Sequence, residues 1–452
     1  MLKTDPEVAE IIAEQAASKG GRAYYVGGYV RDGIIGKENK DIDIEIHGLS
    51  AEQTRTILEN LGDCITTGAG FGVFNLKGRN IDIALPRSET KTGRGGHKDF
   101  DVFVDPHIGL RKAAARRDFT INALMRDIMS GEIYDFYGGL EDIRNKVIRH
   151  VSSISFPEDP LRVLRACRFA AKLDFSIADE TVELCRGMDL STLSPERIMG
   201  ELENVFLKSE LPSVFFEGLR KMNGLHFWFP ELEKLSGVKQ NPVFHPEGDV
   251  WKHTMKTIDE AAKLRVQAEQ PFYFMLAALC HDLGKSIATE EIGGVIHAYG
   301  HDEKGLDQAG KLLDRLTNEI KLKRYVLNMV KLHMRPNMLV QQKASDKAFM
   351  KLFDLSVSPE DLILLSKADH CGSCAGGYDN IEHELREKLS EYCRRMSMPY
   401  VKGEDLIAEG MSPGPEFSEA LGYAHKLRLA GVEKQEALAQ TLGYLRHSKK
   451  NG

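Results

Sequence analysis

The chain has 452 residues, 42% of them hydrophobic, enough for about three domain-sized units of roughly 150 residues and a core that needs no covalent staples. Lys and Arg number 60 against 67 Asp and Glu, and the formal charge of −7 excludes a globally basic coat as the means of holding nucleic acid. Seven scattered cysteines make no secreted disulfide framework, residues 1–6 carry no apolar signal core, and the longest apolar run, 272–280, is too short for a bilayer, so a reduced, cytoplasmic chain without membrane contact is expected.

Residues 1–145 mix helix-like stretches with β-branched runs at 23–26, 42–46, 72–76 and 80–84, which reads as an α/β head with a small mixed sheet. Gly27-Gly28-Tyr29-Val30-Arg31-Asp32 follows the first run as a glycine turn, and Asp41-Ile42-Asp43-Ile44-Glu45 opens the second. Strand alternation puts Asp41, Asp43 and Glu45 on one face and Ile42, Ile44 and Ile46 on the other. Two carboxylates so spaced suit a pair of hard divalent cations, and a glycine pair lets backbone amides approach a triphosphate, with Arg31 adding charge. An acidic strand face alone is a weak signal; the glycine turn just upstream gives it weight. Asp82, on the run at 80–84, is a candidate third carboxylate. The Gly68–Gly72 segment precedes a strand instead of opening a helix, so it reads as a turn and not a dinucleotide loop. Residues 88–100, rich in glycine and charge, read as a mobile loop.

From 146 onward the pattern turns almost wholly helical, with three-and-four spacing over 161–173, 196–207, 272–283 and 324–332. Asp159, Arg162, Arg165 and Arg168 recur every three residues and would share one arc of a helix, a surface suited to anions or base edges. Ser194-Pro195-Glu196-Arg197 reads as a helix start whose charges brace the neighbouring helix. Linker signals fall at 152–160, 237–248 and 410–415. The expected fold is α+β: head 1–145, helical neck 146–235, a helical unit 236–400 and a helical tail 401–452.

The glycine turn, the Asp-x-Asp strand, Arg116-Arg117-Asp118-Phe119-Thr120-Ile121-Asn122-Ala123-Leu124 and Glu158-Asp159-Pro160-Leu161-Arg162 together resemble the class II nucleotidyltransferases, the family of tRNA CCA-adding enzymes and bacterial poly(A) polymerases. The resemblance covers about residues 20–210. It implies that Asp41 and Asp43 hold Mg²⁺, that Gly28 and Arg31 contact the triphosphate, and that Arg117 and Asp118 help hold the nucleotide. It also implies a protein template: Asp159 accepts from the exocyclic amine of C or A while Arg162 donates to the ring, with Arg165 and Arg168 nearer the phosphates or RNA. UTP and GTP present the wrong pattern.

A second constellation comprises His253, the adjacent His281 and Asp282, and Asp369. It resembles the HD-domain phosphohydrolases and implies a divalent transition metal or Mg²⁺, with His301 and His333 completing a second metal position. Cys371-Gly372-Ser373-Cys374 lacks a second pair at zinc spacing and reads as a glycine-rich turn. The expected function is addition or repair of the tRNA 3′-terminal CCA from CTP and ATP, with an appended phosphohydrolase. Poly(A) polymerase, CC-only and A-only addition are alternatives, as is a nucleotide-sensing protein with a silent site, against which the intact Asp41 and Asp43 argue.

Overall fold

The computed structural model describes residues 3–66, 72–91, 100–373 and 377–448. Contacts divide the chain into two units, residues 1–205 with 214–228, and residues 206–213 with 229–452. The fold is α+β.

The first unit opens with α1 (Asp5–Ser18), β1 (Arg22–Val26), α2 (Gly27–Ile35), β2 (Ile42–His47) and α3 (Ala51–Glu59), followed by β3 (Cys64–Thr66), β4 (Val73–Leu76) and β5 (Ile81–Ala84). Next come β6 (Arg87–Lys91), β7 (Phe100–Val104), α4 (Leu110–Ala114), β8 (Met125–Asp127), β9 (Ile133–Tyr134) and α5 (Gly139–Arg144). Seven strands form one sheet in the order β3-β4-β5-β2-β1-β8-β9. It is mixed because β2 and β5 run parallel and every other pair is antiparallel. Ile42, Ile44 and Ile46 are at most 2% exposed, while Asp43 and Glu45 take the opposite face by strand alternation. α1 packs against β1 and β2 through Val8, Ile12 and Ala16.

The segment read as a glycine turn is in fact the start of α2. Gly27, at φ 65°, swings the chain from β1 directly into the helix, and a Cβ there would stand 3.2 Å from Arg117 Nη1 and 3.4 Å from Asp43 Oδ2. Of the Gly68–Gly72 turn, residues 68–71 lie outside the described residues, as do residues 92–99 of the expected loop. The flanks of that loop, β6 and β7, pair as an antiparallel ribbon instead of continuing it.

Beyond residue 145 the unit is not wholly helical: β10 (Val147–Ile148) and β11 (Ser176–Ile177) pair in parallel around α6 (Leu161–Leu173). α6 buries Val163, Leu164, Cys167 and Ala170 and carries Arg162, Arg165 and Arg168 on its other arc. It stops at Asp174, which adopts a left-handed φ of 59°. α7 (Asp179–Arg186) and α8 (Pro195–Lys208) follow.

In the second unit, the helix Pro271–Cys280 is completely buried from Phe274 onward and apolar on every side, which makes it the core against which helices Val250–Leu264 and Ile320–Leu332 pack. It ends at Cys280, three residues short of the expected 283, so His281 and Asp282 sit in the turn beyond it. This unit also holds a hairpin, β12 (Glu290–Ile292) with β13 (Val295–His297), where helix was expected. Helices Pro415–Leu429 and Lys434–Ser448 share a small core with Leu406. Among the described residues, no helix is long and apolar enough to cross a membrane.

Candidate active site and a second cluster

A cavity of about 560 Å³ in the first unit is lined by Gly28, Arg31, Asp41, Asp43, Arg117, Asp118, Asp159, Arg162, Arg165 and Arg168. Residues far apart in the chain thus meet because β2, the N-terminus of α2 and the arginine arc of α6 face one space. Asp82 pairs in register with Asp43 on the parallel neighbour β5, but it lines an adjoining cavity of about 570 Å³ that Asp43 and Arg117 also reach. There Asn75 Nδ2 donates to Asp82 Oδ1 at 2.7 Å.

Burial raises the Asp43 carboxyl above its ordinary range, Arg117 opposes this, and Asp82 and Asp41 add to the rise. A half-buried carboxylate crowded by like charges is a fitting ligand for a divalent cation, which removes that repulsion. Arg117 is held over it by Glu45, whose Oε2 accepts from Nη2 at 3.3 Å and whose Oε1 lies 2.8 Å from His47 Nε2.

Asp159 precedes α6 in extended backbone instead of sharing its arc, and both it and Arg162 are braced. Arg162 donates from Nη1 to the Ser155 carbonyl at 2.7 Å and from Nη2 to the Arg116 carbonyl at 3.0 Å. Asp159 accepts from Arg197 Nη2 at 2.9 and 3.0 Å, which gives the expected bracing role of Arg197 its partner. Asp118 is buried and committed to protein: its oxygens accept from the Phe119 amide, Asn122 Nδ2 and Arg165 Nε. Burial opposes its charge, yet Arg165 and Asn122 outweigh burial and hold the carboxyl below its ordinary range. Arg168 Nε donates to Glu201 Oε2 at 2.6 Å. Asp32 and Asn122 fall inside the glycine segment and the Arg116–Leu124 motif, but the support that Asn122 gives Arg31 and Glu201 gives Arg168 was not legible there, because those partners lie 91 and 33 residues away.

In the second unit His253, His281, Asp282 and Asp369 do come together, with His301 and His333 beside them. His253 Nε2 lies 2.9 Å from Asp369 Oδ1 and 3.3 Å from His281 Nε2, the separations of ligands roughly 2.1 Å from a shared cation. His301 and His333 place Nε2 at 3.4 and 3.8 Å from Asp282 Oδ1. The Nδ1 atoms of His281, His301 and His333 each face the carbonyl three residues earlier, at 2.8, 2.8 and 2.7 Å, which assigns a proton to Nδ1 and turns Nε2 toward the cluster. The buried Nε2 atoms of His301 and His333 and Asp282 Oδ1 have no hydrogen-bond partner, so the donor set fits divalent cations. Burial works against charge on His281, but Asp282 and Asp369 push it up to about 10; burial and the charge of His281 push His333 down to about 4.

The segment read as a linker at 237–248 proves to be part of this cluster. Glu247 Oε1 lies 2.9 Å from both His245 Nδ1 and His253 Nδ1, and Gln240 Oε1 accepts from Lys285 Nζ at 2.9 Å. Lys285 Nζ is also 2.6 Å from Asp282 Oδ2. Cys371 sits in the last turn of helix Pro359–Gly372, not in a glycine-rich turn, and Cys374 lies outside the described residues.

Gly284 holds the His281-Asp282 turn against the start of helix His301–Leu316, since a Cβ would overlap the His301 carbonyl oxygen and crowd the Gly305 amide. Gly284→Ala should therefore destabilise the protein by about 1–3 kcal/mol, read by thermal melting. An unchanged melt would show that the backbones can part without cost.

A family model, the Poly A polymerase head domain, matches residues 23–149. A "Multifunctional CCA protein" of Actinobacillus pleuropneumoniae serotype 5b is 36% identical over 382 residues, 82% of this chain and 89% of that protein. One of the same description from Xanthomonas campestris pv. campestris is 34% identical over 432 residues, 93% of this chain and 100% of the relative. Among solved structures, the Bacillus stearothermophilus CCA-adding enzyme in complex with CTP aligns over 100% of both chains with a TM-score of 0.69 at 22% identity. The Thermotoga maritima CCA-adding enzyme complexed with tRNA aligns over 97% of this chain and 95% of that one, with a TM-score of 0.63 at 20% identity. These two likenesses speak to the fold.

Proposed function

The chain belongs to the CCA-adding enzyme family, and from that premise we propose that it builds or repairs the 3′-terminal CCA of tRNA from CTP and ATP. The observation that carries the reading is the single cavity that sets Asp41 and Asp43 opposite the arginine arc of α6. Asp41 and Asp43 would hold Mg²⁺, which when bound lowers the charge cost of phosphoryl transfer. The α2 N-terminus at Gly27 and Gly28 offers backbone N–H groups to the triphosphate, and Arg31 and Arg117 add positive charge. The tRNA 3′-hydroxyl gives up its proton to solvent as its oxygen bonds to the α-phosphorus, the bond from that phosphorus to the α–β bridging oxygen breaks, and pyrophosphate leaves.

Asp159 and Arg162 read the base in this proposal, held by Arg197 and by the Ser155 and Arg116 carbonyls. Asp159→Ala should slow CTP and ATP addition and relax discrimination against UTP, each lost contact being worth about 1–3 kcal/mol. The check is kcat/KM for all four nucleotides; an unchanged ranking removes Asp159 from base reading. The function itself is tested by incubating tRNA that lacks its CCA end with labelled CTP and ATP, singly and together. Two C with CTP alone and CCA with both support the proposal. Long adenylate tails with ATP alone would mark a poly(A) polymerase, and failure to incorporate either nucleotide would overturn both.

The second unit, in the same proposal, is an HD-type phosphohydrolase. Its His and Asp side chains would hold divalent metal, which supplies an activated water when bound. The substrate class is a phosphomonoester or 2′,3′-cyclic phosphate, whose removal frees the hydroxyl that the transferase needs.

A further inference from the structure

The nucleotide cavity contains a hydrogen-bonded chain that closes on itself. Arg31 Nη1 donates to Asn122 Oδ1 at 2.6 Å, Asn122 Nδ2 donates to Asp118 Oδ1 at 3.0 Å, and Arg165 Nε donates to Asp118 Oδ2 at 2.7 Å. The two ends of this chain then meet again over one aromatic ring. The guanidinium carbons of Arg31 and Arg165 lie 5.1 and 5.4 Å from the centre of Phe169, and that of Arg168 lies 4.2 Å from it. Cations gathered at one ring repel one another unless each is neutralised. Here each has its own carboxylate: Asp32 for Arg31, Asp118 for Arg165 and Glu201 for Arg168. Asn122 and Phe169 are only 5% and 6% exposed.

We propose that Asn122 and Phe169 are positioning residues that tie Arg31 to Arg165, so that the triphosphate-binding end of the site and the base-reading helix α6 are set as one unit. The proposal rests on the nucleotidyltransferase reading above and deepens it. Asn122 is suited to the task because its amide has an acceptor oxygen on one side, facing a guanidinium, and a donor nitrogen on the other, facing a carboxylate. Aspartate at this position keeps the acceptor for Arg31 but confronts Asp118 with a second carboxylate. Phe169 contributes the aromatic ring over which the guanidinium groups lie, and leucine would keep much of the volume without that ring. A nucleotide whose base fails to settle against α6 would then also meet a displaced Arg31, so a base mismatch would weaken the grip on the triphosphate.

The test compares wild type with Asn122→Ala, Asn122→Asp, Phe169→Leu and Phe169→Tyr. It measures kcat and KM for CTP, ATP and UTP addition, CTP and UTP affinity by equilibrium dialysis, and thermal melting. Asn122→Ala, Asn122→Asp and Phe169→Leu should raise KM for CTP and ATP about tenfold, weaken CTP binding in parallel and shrink the CTP-to-UTP preference at least fivefold. Phe169→Tyr, which keeps the ring, should stay near wild type in all three. A drop in melting temperature with KM and base preference unchanged means that the residues only hold the fold, and it overturns the proposal. So does a Phe169→Tyr variant as impaired as Phe169→Leu. If wild type binds CTP but adds nothing to tRNA, the transferase reading fails, while the binding ratios across the variants still judge the tie between Arg31 and Arg165.

Discussion

Asp43→Ala should leave the chain folded and lower nucleotide addition on the order of 10³-fold or more, a loss at least as large as that of a single electrostatic contact to a transition state. The side chain lines both cavities described above and pairs in register with Asp82, and Arg117 lines both cavities with it. The raised Asp43 carboxyl adds a pH dependence with a definite sign. The folded state binds this proton more tightly than the unfolded chain does, so without metal its contribution to stability is present at low pH and lost as pH rises through the raised value. Mg²⁺ should offset that loss, and Asp43→Asn should remove the Asp43 share of the pH dependence and weaken the Mg²⁺ effect. Melting curves across pH, with and without Mg²⁺, provide the check. CTP incorporation by folded Asp43→Ala near the wild-type rate would remove Asp43 from the metal site.

The second large effect is expected at the histidine cluster. His281→Ala combined with Asp282→Ala should eliminate metal-dependent phosphodiester hydrolysis and the metal held by this cluster while CCA addition continues, because none of the head's site residues lies in this cluster. Removing Asp282 leaves the buried Lys285 ammonium without its carboxylate, so Asp282→Asn serves as a gentler second variant. Hydrolysis of a generic phosphodiester with Ni²⁺, Co²⁺, Mn²⁺ or Mg²⁺, run beside metal analysis, measures both. Wild-type protein that hydrolyses nothing with any of these metals, while CCA addition proceeds, would end the hydrolase proposal and leave the transferase untouched.

Local patterns gave most of the positions and little of the wiring. The Asp41 to Glu45 alternation and the arginine spacing of α6 were readable because strand and helix periods are short-range properties. The start of α2 was not, since Gly27-Gly28 looks like a turn until β1 and the left-handed Gly27 are seen to feed a helix. Loop 237–248 looked like a linker because prolines and glycines mark irregular backbone, and irregular backbone is also where Glu247 and Gln240 reach the cluster. Asp82 fell in the adjoining cavity because strand pairing with β2 and the contact with Asn75 decide its place, and neither is a local property.

The central position of β1 has a consequence for synthesis. One edge of β1 pairs with β2, only about twenty residues later, but the other waits for β8, so Tyr24 cannot meet Asp127 until more than a hundred further residues have been made. During that interval the nascent head carries an apolar strand with one row of amide and carbonyl groups open to any passing edge. Non-local pairing of this kind is slow to close. The head is therefore expected to be most exposed to aggregation while the ribosome is translating the stretch between β2 and β8, before the cavity lined by Asp43 and the arginines of α6 exists.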